Sequence, residues 1–355
     1  MSFLPARARP FLALLNLVLS VSFVNAAPVN PAEIPGDTKW LLHFDVEKAR
    51  NWKLMQKWQK QMESKTWYQD KLEKMIDDYG WNPTEDLEGV LMYDSEYARH
   101  NGVLALHVRN IDVNKITARF KKMHPDAETE TYRNRFISTW TDLSPYQGEH
   151  SVSGCLATDS LMLVANDPQK IRSTIDVLDG EAASLEKTSP LLQSFNQTAI
   201  LACRAIDVPD QYQSQTRCPI LRRCRSATMF FNADDDAMQL KYDLEANDEE
   251  LASKMKGAVT GMRAMMGMQV RKNELGKKML EAMKITREGN HLLVEWEGKT
   301  EEFEELAQTM RDKKWKKYDW KQGGKKQKSN SNNRKLSPKK EPAEDLDEWI
   351  KNFQL

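Results

Sequence analysis

The chain has 355 residues, 40% of them hydrophobic, with 52 Lys/Arg balanced by 52 Asp/Glu and only four cysteines. That length exceeds what one ordinary core organises, so two domains are expected, and the low cysteine count excludes a disulfide-dense scaffold. Charge neutrality is an average over a mildly acidic body and a strongly basic tail, which speaks to partners rather than to fold.

Residues 1–26 read as an export signal. Arg7 and Arg9 supply a basic start, Phe11 to Val24 an apolar stretch, and Val24 with Ala26 a small-residue cleavage pattern, which places cleavage before Ala27. The apolar stretch is shorter than the roughly 20 residues that span a bilayer, and nothing downstream reaches that length without a charge. The mature chain is therefore expected to be exported, periplasmic or extracellular, and to lack a transmembrane segment; an uncleaved anchor is the alternative. No cysteine precedes Cys155 to accept a lipid.

After a linker over 27–37, the chain reads as two units. In the first (38–182), Trp40 to Asp45 is a strand and Trp52, Leu54, Met55, Trp58 and Met62 describe a helix. Leu87 to Tyr93 and Val103 to Val108 are strands, Asp112 caps a helix, Ser151 to Ala157 and Leu161 to Ala165 form a hairpin, and Asp167-Pro168 opens another helix. The second unit (183–311) repeats this order. Ala199 to Ala205 is a strand, Ala227 to Phe231 and Ala237 to Leu244 a hairpin, and Asn247-Asp248 caps a helix carrying Leu251, Met255, Val259 and Met262. Lys284 to Arg287 and Leu292 to Trp296 form a last hairpin, followed by a helix from Thr300 to Met310. The expected fold class is α+β: two tandem units of antiparallel sheet with helices on one face, built as a possible internal duplication. Coincidence is the alternative, because hairpin-plus-helix arrangements are common.

The segments Asp37-Thr-Lys-Trp-Leu-Leu-His-Phe-Asp-Val-Glu-Lys-Ala-Arg50, Ser160-Leu-Met-Leu-Val-Ala-Asn-Asp167 and Ile175-Asp-Val-Leu-Asp-Gly180 resemble uncharacterised exported proteins of planctomycete- and verrucomicrobium-type bacteria. The resemblance covers most of the body and leaves out the tail. It implies a bacterial envelope location and carries over no active-site residue.

No motif names a reaction. GxSxG, HExxH, Walker-loop, GxGxxG and EF-hand patterns are lacking, so no nucleotide or other cofactor is expected. Alternation places His43 and His107 on one sheet face, where a functional pair would need an acid such as Asp45 or Glu47; satisfied or solvent-facing histidines are the preferred reading. Asp234-Asp-Asp236 could ligate a hard cation, but at a hairpin tip these are good turn formers. Cys218 and Cys224 could close a small disulfide loop; the four cysteines lack the pairing for zinc, and no metal site is expected. The methionines 255, 262, 265, 266, 268, 279 and 283 admit copper(I) chemistry or a pliable partner groove, while the spacing of 255, 262 and 266 favours a core stripe. Trp40, Trp52, Trp58, Trp67 and Trp81, with Tyr68 and Tyr79, allow carbohydrate stacking, though their spacing favours packing.

The tail is the strongest candidate for function. Residues 312–340 carry twelve Lys/Arg against two Asp, with Lys313, Lys314, Lys316 and Lys317 interleaved with Trp315 and Trp320, in a disorder-type composition suited to an envelope polyanion. Residues 341–355 are acidic, yet Leu346, Trp349, Ile350 and Phe353 fall on one side at helical spacing, as in a segment that binds a groove on a protein partner. The bland alternative folds this segment back onto the body. The favoured function is thus a non-enzymatic envelope protein acting by binding or attachment through its tail. The alternatives are a hydrolase with carboxylates assembled from distant strands, and a carrier whose helix layer stands off the sheet to admit an apolar ligand.

Overall fold

The computed structural model describes residues 29–98, 101–144, 148–193, 195–196, 199–209, 224–270, 273–305 and 308. The export signal, Cys218 and the whole tail (Lys313, Lys314, Trp315, Lys316, Lys317, Trp320, Leu346, Trp349, Ile350, Phe353) lie outside these residues, as therefore does any Cys218–Cys224 bridge. In chain order the first half contains β1 (Trp40–Asp45), α1 (Val46–Asn51), α2 (Lys53–Glu63), α3 (Thr66–Tyr79), β2 (Leu87–Asp94), β3 (Val103–Val108), α4 (Val113–Met123), β4 (Glu128–Tyr132), β5 (Arg135–Ser144), β6 (Gly148–Thr158), β7 (Leu161–Ala165) and α5 (Pro168–Leu178). The second contains β8 (Leu201–Ala205), β9 (Cys224–Ala233), β10 (Ala237–Ala246), α6 (Glu249–Gln269), α7 (Glu274–Glu281), β11 (Lys284–Glu288) and β12 (His291–Lys299), after which residues 300–305 are helical.

The fold is α+β, and the two expected units share one sheet. The twelve strands among the described residues join in the order β11-β12-β10-β9-β8-β1-β2-β3-β7-β6-β5-β4, and each neighbouring pair is antiparallel. The seam is the β1–β8 pair, with Leu42 opposite Cys203. Outward from that seam each half runs first strand, second, third, last, next-to-last: β1-β2-β3-β7-β6 on one side and β8-β9-β10-β12-β11 on the other. The first half adds the hairpin β5–β4 at its edge.

Local sequence explains most helix starts. Asp45, Asp112 and Asp248 each accept a backbone N–H three residues on, from Lys48, Lys115 and Leu251 at 2.7, 3.0 and 2.7 Å. Asp167 accepts the Gln169 N–H, and Pro168 fills the first helical position. Each such cap contributes about 1 kcal/mol. Asp207 does not repeat the role of Asp45: it has φ 52° and faces Arg225 at 3.8 Å.

The two faces are covered differently. On the front face lie α1, α2, α4 and α6. Trp52 meets Phe231 edge-on, Phe120 of α4 meets Trp140 of β5, and Ala252 and Met255 of α6 pack on Leu244 and Leu292. The back face is covered by α5, through Ile171 and Ile175, and by two irregular segments. The expectation of helices on one face thus holds for the front-face set but not for α5. Residues 29–37, expected as a linker, are part of this cover. Val29 and Ile34 are buried in the core, the Leu185 N–H donates to the Ile34 carbonyl at 2.7 Å, and Pro35 bridges to Ser184. Leu185, Leu191, Leu192 and Phe195, at the start of the second unit by sequence, pack into this same core.

Candidate functional site

The strand sequences hold an anomaly. Leu-Leu in β1, Val-Leu-Ala-Leu in β3 and the run Leu161-Met-Leu-Val-Ala165 are apolar at successive positions. Unbroken apolar runs are characteristic of strands covered on both faces. Here one face is sealed. On the back, Leu41, Leu91, Ala105 and Leu163 are 3% exposed or less. Their front-facing neighbours are only half-buried.

Register shows that those front residues form a continuous band. Across β8, β1, β2, β3 and β7, one row reads Leu201, Phe44, Val90, Leu106, Met162. The next row reads Cys203, Leu42, Met92, Leu104, Val164. Beyond β8 the rows continue through Phe231 and Met229 to Leu240 and Tyr242. Beyond β7 the first row reaches Leu156 and, one step beyond the Ile137–Cys155 pair, Phe136, which is 66% exposed. Met92, at the centre, is 37% exposed. With strands about 4.8 Å apart, the nine strands from β10 to β5 give the band a length of roughly 38 Å.

Aromatic side chains and helices frame this surface. At one end the Trp52–Phe231 contact roofs the first row, with Trp58, Trp296 and Phe303 packed on the same cluster. At the other end Trp140 lies over Gly154, where an added Cβ would stand 3.2 Å from the indole. Phe120 of α4 and His124, which caps its C-terminal end, stack about that indole, with ring centres 5.0 and 5.1 Å away. Trp40 similarly lies over Gly102 along one margin. The expected packing role thus describes Trp52, Trp58 and the buried Trp81, while Trp40 borders the open surface, as does Trp140; Trp67 stands apart, edge-on to Tyr68 beneath Lys71.

The methionine stripe of α6 divides in two. Met255 is buried against Leu244 and Leu292, as a core stripe requires. Met262 and Met266 continue the same helical stripe, yet are 43% and 49% exposed, and Met265 and Met268 are exposed beside them. The C-terminal half of α6 therefore carries an apolar surface past the part of the sheet it seals. Flexible thioethers suit a surface that must adapt to a variable apolar ligand.

The polar groups are mostly committed to structure. The three buried carboxylates among the described residues each have a partner: Asp45 caps α1, Asp78 binds Arg119 and Asp94 binds Lys170. Burial raises the Asp45 carboxyl above the usual aspartate range. At the Asp234–Asp236 tip, Asp234 accepts the Asp236 and Ala237 N–H groups, at 2.9 and 2.7 Å, and Asp235 pairs with Lys53 at 2.6 Å. That tip is a turn pinned to the start of α2. In the band, desolvation pushes the Cys203 thiol up to about 11, so it stays a neutral lining group.

His43 and His107 do share one sheet face, the back, where alternation places them. The His43 and His107 rings stand 3.8 and 3.9 Å from where a Cβ on Gly89 would lie. For His107 the acidic neighbour is Glu33, whose Oε2 is 2.8 Å from its Nε2, rather than Asp45 or Glu47. Glu47 instead faces Arg109 at 3.5 Å. Partial burial works to raise the Glu33 carboxyl, but the His107 contact outweighs it and holds the group below its usual range. Sequence reasoning missed Glu33 because it falls in the segment read as a linker. Its Asn30-Pro31 start, an N-cap followed by proline, was the available signal.

No helix among the described residues is long and apolar enough to cross a membrane, and no cluster of three or more His, Cys, Asp or Glu there could hold a metal ion. No family model and no curated protein matches the chain. Among solved structures the chain is similar to crystal form III of TP0453, a Treponema protein, at 10% identity over 78% of this chain and 97% of that one, with a TM-score of 0.46. It is similar to crystal form I of the same protein at 10% identity, over 80% and 98% of the two chains, with a TM-score of 0.43.

Proposed function

We propose that this protein is a non-enzymatic exported binding protein that carries an apolar ligand on the front band of its sheet. The observation that carries this reading is the pair of half-exposed apolar rows, contiguous across the seam between the two halves. Apolar surface left partly wet costs roughly 25 cal/mol per Å², so a partly covered band of this kind suits binding. The exposed methionines of α6 supply an adaptable flank. Commitment of the buried carboxylates to caps and ion pairs favours binding over hydrolysis. The repeated strand order supports descent of the two halves from one duplicated unit, so that duplication built the band. The basic tract with Lys313, Lys314, Trp315, Lys316, Lys317 and Trp320 would attach the carrier to an anionic envelope surface.

The test is a fluorescence titration with N-phenyl-1-naphthylamine, a neutral apolar probe. Saturable binding by the native chain, reduced at least tenfold by Leu104→Lys with unchanged circular dichroism, is the expected result. Non-saturable binding, or equal binding by the variant, contradicts the band as the site.

A further inference from the structure

The sheet ends differently at its two edges, and one of those edges is complementary to itself. We infer that β11 is a dimerisation edge, pairing antiparallel with β11 of a second copy of this chain about a two-fold axis beside Thr286. Such pairing joins two twelve-stranded sheets into one. It goes beyond the carrier reading and does not depend on it.

β11 is the last strand on its side of the sheet and pairs with β12 alone. An exposed edge is a template for another strand unless charge or cover guards it. The ladder decides which groups this edge offers. Glu288 and His291 close the two-residue Gly289-Asn290 turn and so exchange both hydrogen bonds. Alternation then turns the N–H and C=O of Ile285 and Arg287 outward. A two-fold beside Thr286 sets Ile285 opposite Arg287 of the second copy, which matches those outward groups. The same register sets Lys284 opposite Glu288 of the second copy, and Glu288 opposite its Lys284.

Charge selects this register. On the back face a row runs Lys241, Glu295, Lys284 across β10, β12 and β11. Lys241 and Glu295 pair at 3.0 Å, which leaves Lys284 exposed and without an ion-pair partner among the described residues. Glu288 is also exposed and has no ion-pair partner there, since its neighbour His291 faces Asp243 at 2.8 Å. Glu288 of the second copy extends the row with its next alternating charge, and opposite charges facing across strands stabilise the pairing. The other edge, β4, lacks this property: pairing about its middle residue sets Glu130 against its own copy. The front face leaves room for the pairing. There α6 lies over β12 and β11, packing with Ile285, Leu292 and Val294. An axis half a strand spacing beyond β11 puts the two α6 copies roughly 10 Å apart, the distance at which helices pack. Because that axis is normal to the sheet, both front bands face the same way.

Sedimentation equilibrium of the full chain tests this. The native chain is expected at twice its monomer mass over the micromolar range, with the dimer weakened in roughly 1 M salt. Lys284→Glu and Glu288→Lys each set like charges opposite one another and should raise the dissociation constant at least about tenfold, with unchanged circular dichroism. The double swap, Lys284→Glu with Glu288→Lys, should restore the native dimer. In a second measurement, Thr286→Cys treated with copper–phenanthroline should run as a covalent dimer on a non-reducing gel, unlike the native chain. Residues facing each other across the two-fold have Cα atoms about 4.5 Å apart, within disulfide range. A monomer at every concentration, a dimer indifferent to both single reversals, or reversals that the double swap fails to restore overturns the edge pairing. So do assemblies larger than a dimer, and so does a Thr286→Cys chain that forms no covalent dimer.

Discussion

The back and front of the central strands are built from the same residue types and end in opposite states. On the back, Leu41, Leu91 and Leu163 are sealed under α5, the segment 29–37 and the side chains of Leu185, Leu191, Leu192 and Phe195. On the front, Leu42, Met92, Leu104 and Val164 come from the same strands, one residue over, and remain half-open. Burial is therefore decided by which surfaces the connecting segments can reach, and not by strand composition. The sealed face contributes stability; the front one is less completely covered.

The sharpest way to break this comparison is a matched pair of truncations. Leu163→Ala removes a fully buried side chain and should cost about 3 kcal/mol in urea unfolding. Leu104→Ala removes a half-exposed one and should cost less than about 1.5 kcal/mol, with an unchanged denaturant slope. Equal costs would mean that the front is as well packed as the back.

A smaller effect is expected at the polar contact within the sealed face. The Tyr93 hydroxyl lies 2.9 Å from Thr174 Oγ1 of α5, both residues being buried. Tyr93→Phe should cost about 1 kcal/mol, because Thr174 keeps its hydrogen bond to the Lys170 carbonyl. A loss of several kcal/mol would show that the contact organises α5 as a whole.

The smallest effect concerns the Glu33–His107 clasp. The Glu33 carboxyl is held below its usual value in the folded chain, so its stabilisation is fully present above the unfolded value near 4.5. It is lost as pH falls through the lower folded value. Amide protection over residues 29–37, taken relative to the intrinsic exchange rate at each pH, should therefore fall on acidification below about pH 4.5, and Glu33→Gln should flatten that dependence. A variant with the same acid response as the native chain would remove Glu33 from the account.

Much of the architecture is legible in the sequence because it rests on local chemistry. Asp112, Asp167-Pro168 and Asp248 announce their helices, and Glu288-Gly-Asn290 announces a hairpin. Less legible is the hairpin between β4 and β5, which turns at Arg133 and Asn134 with φ of 44° and 62° and contains no glycine. The helix α3 is missed because its polar Asp70, Glu73, Asp77 and Asp78 dilute the apolar period. Fusion of the two units into one sheet has no local signal, since the β1–β8 seam pairs residues about 160 apart. The candidate site is hidden for a related reason. A run such as Leu161-Met-Leu-Val-Ala165 shows that both faces are apolar, while its sequence does not say that only one of them is covered.

The central claim is that the front band carries an apolar ligand, and native mass spectrometry tests it most directly. The full chain, purified without detergent, should show a protein peak with an added apolar mass that is lost in the Leu104→Lys variant. A bare protein mass for both chains, or the same added mass retained by the variant, would contradict the account.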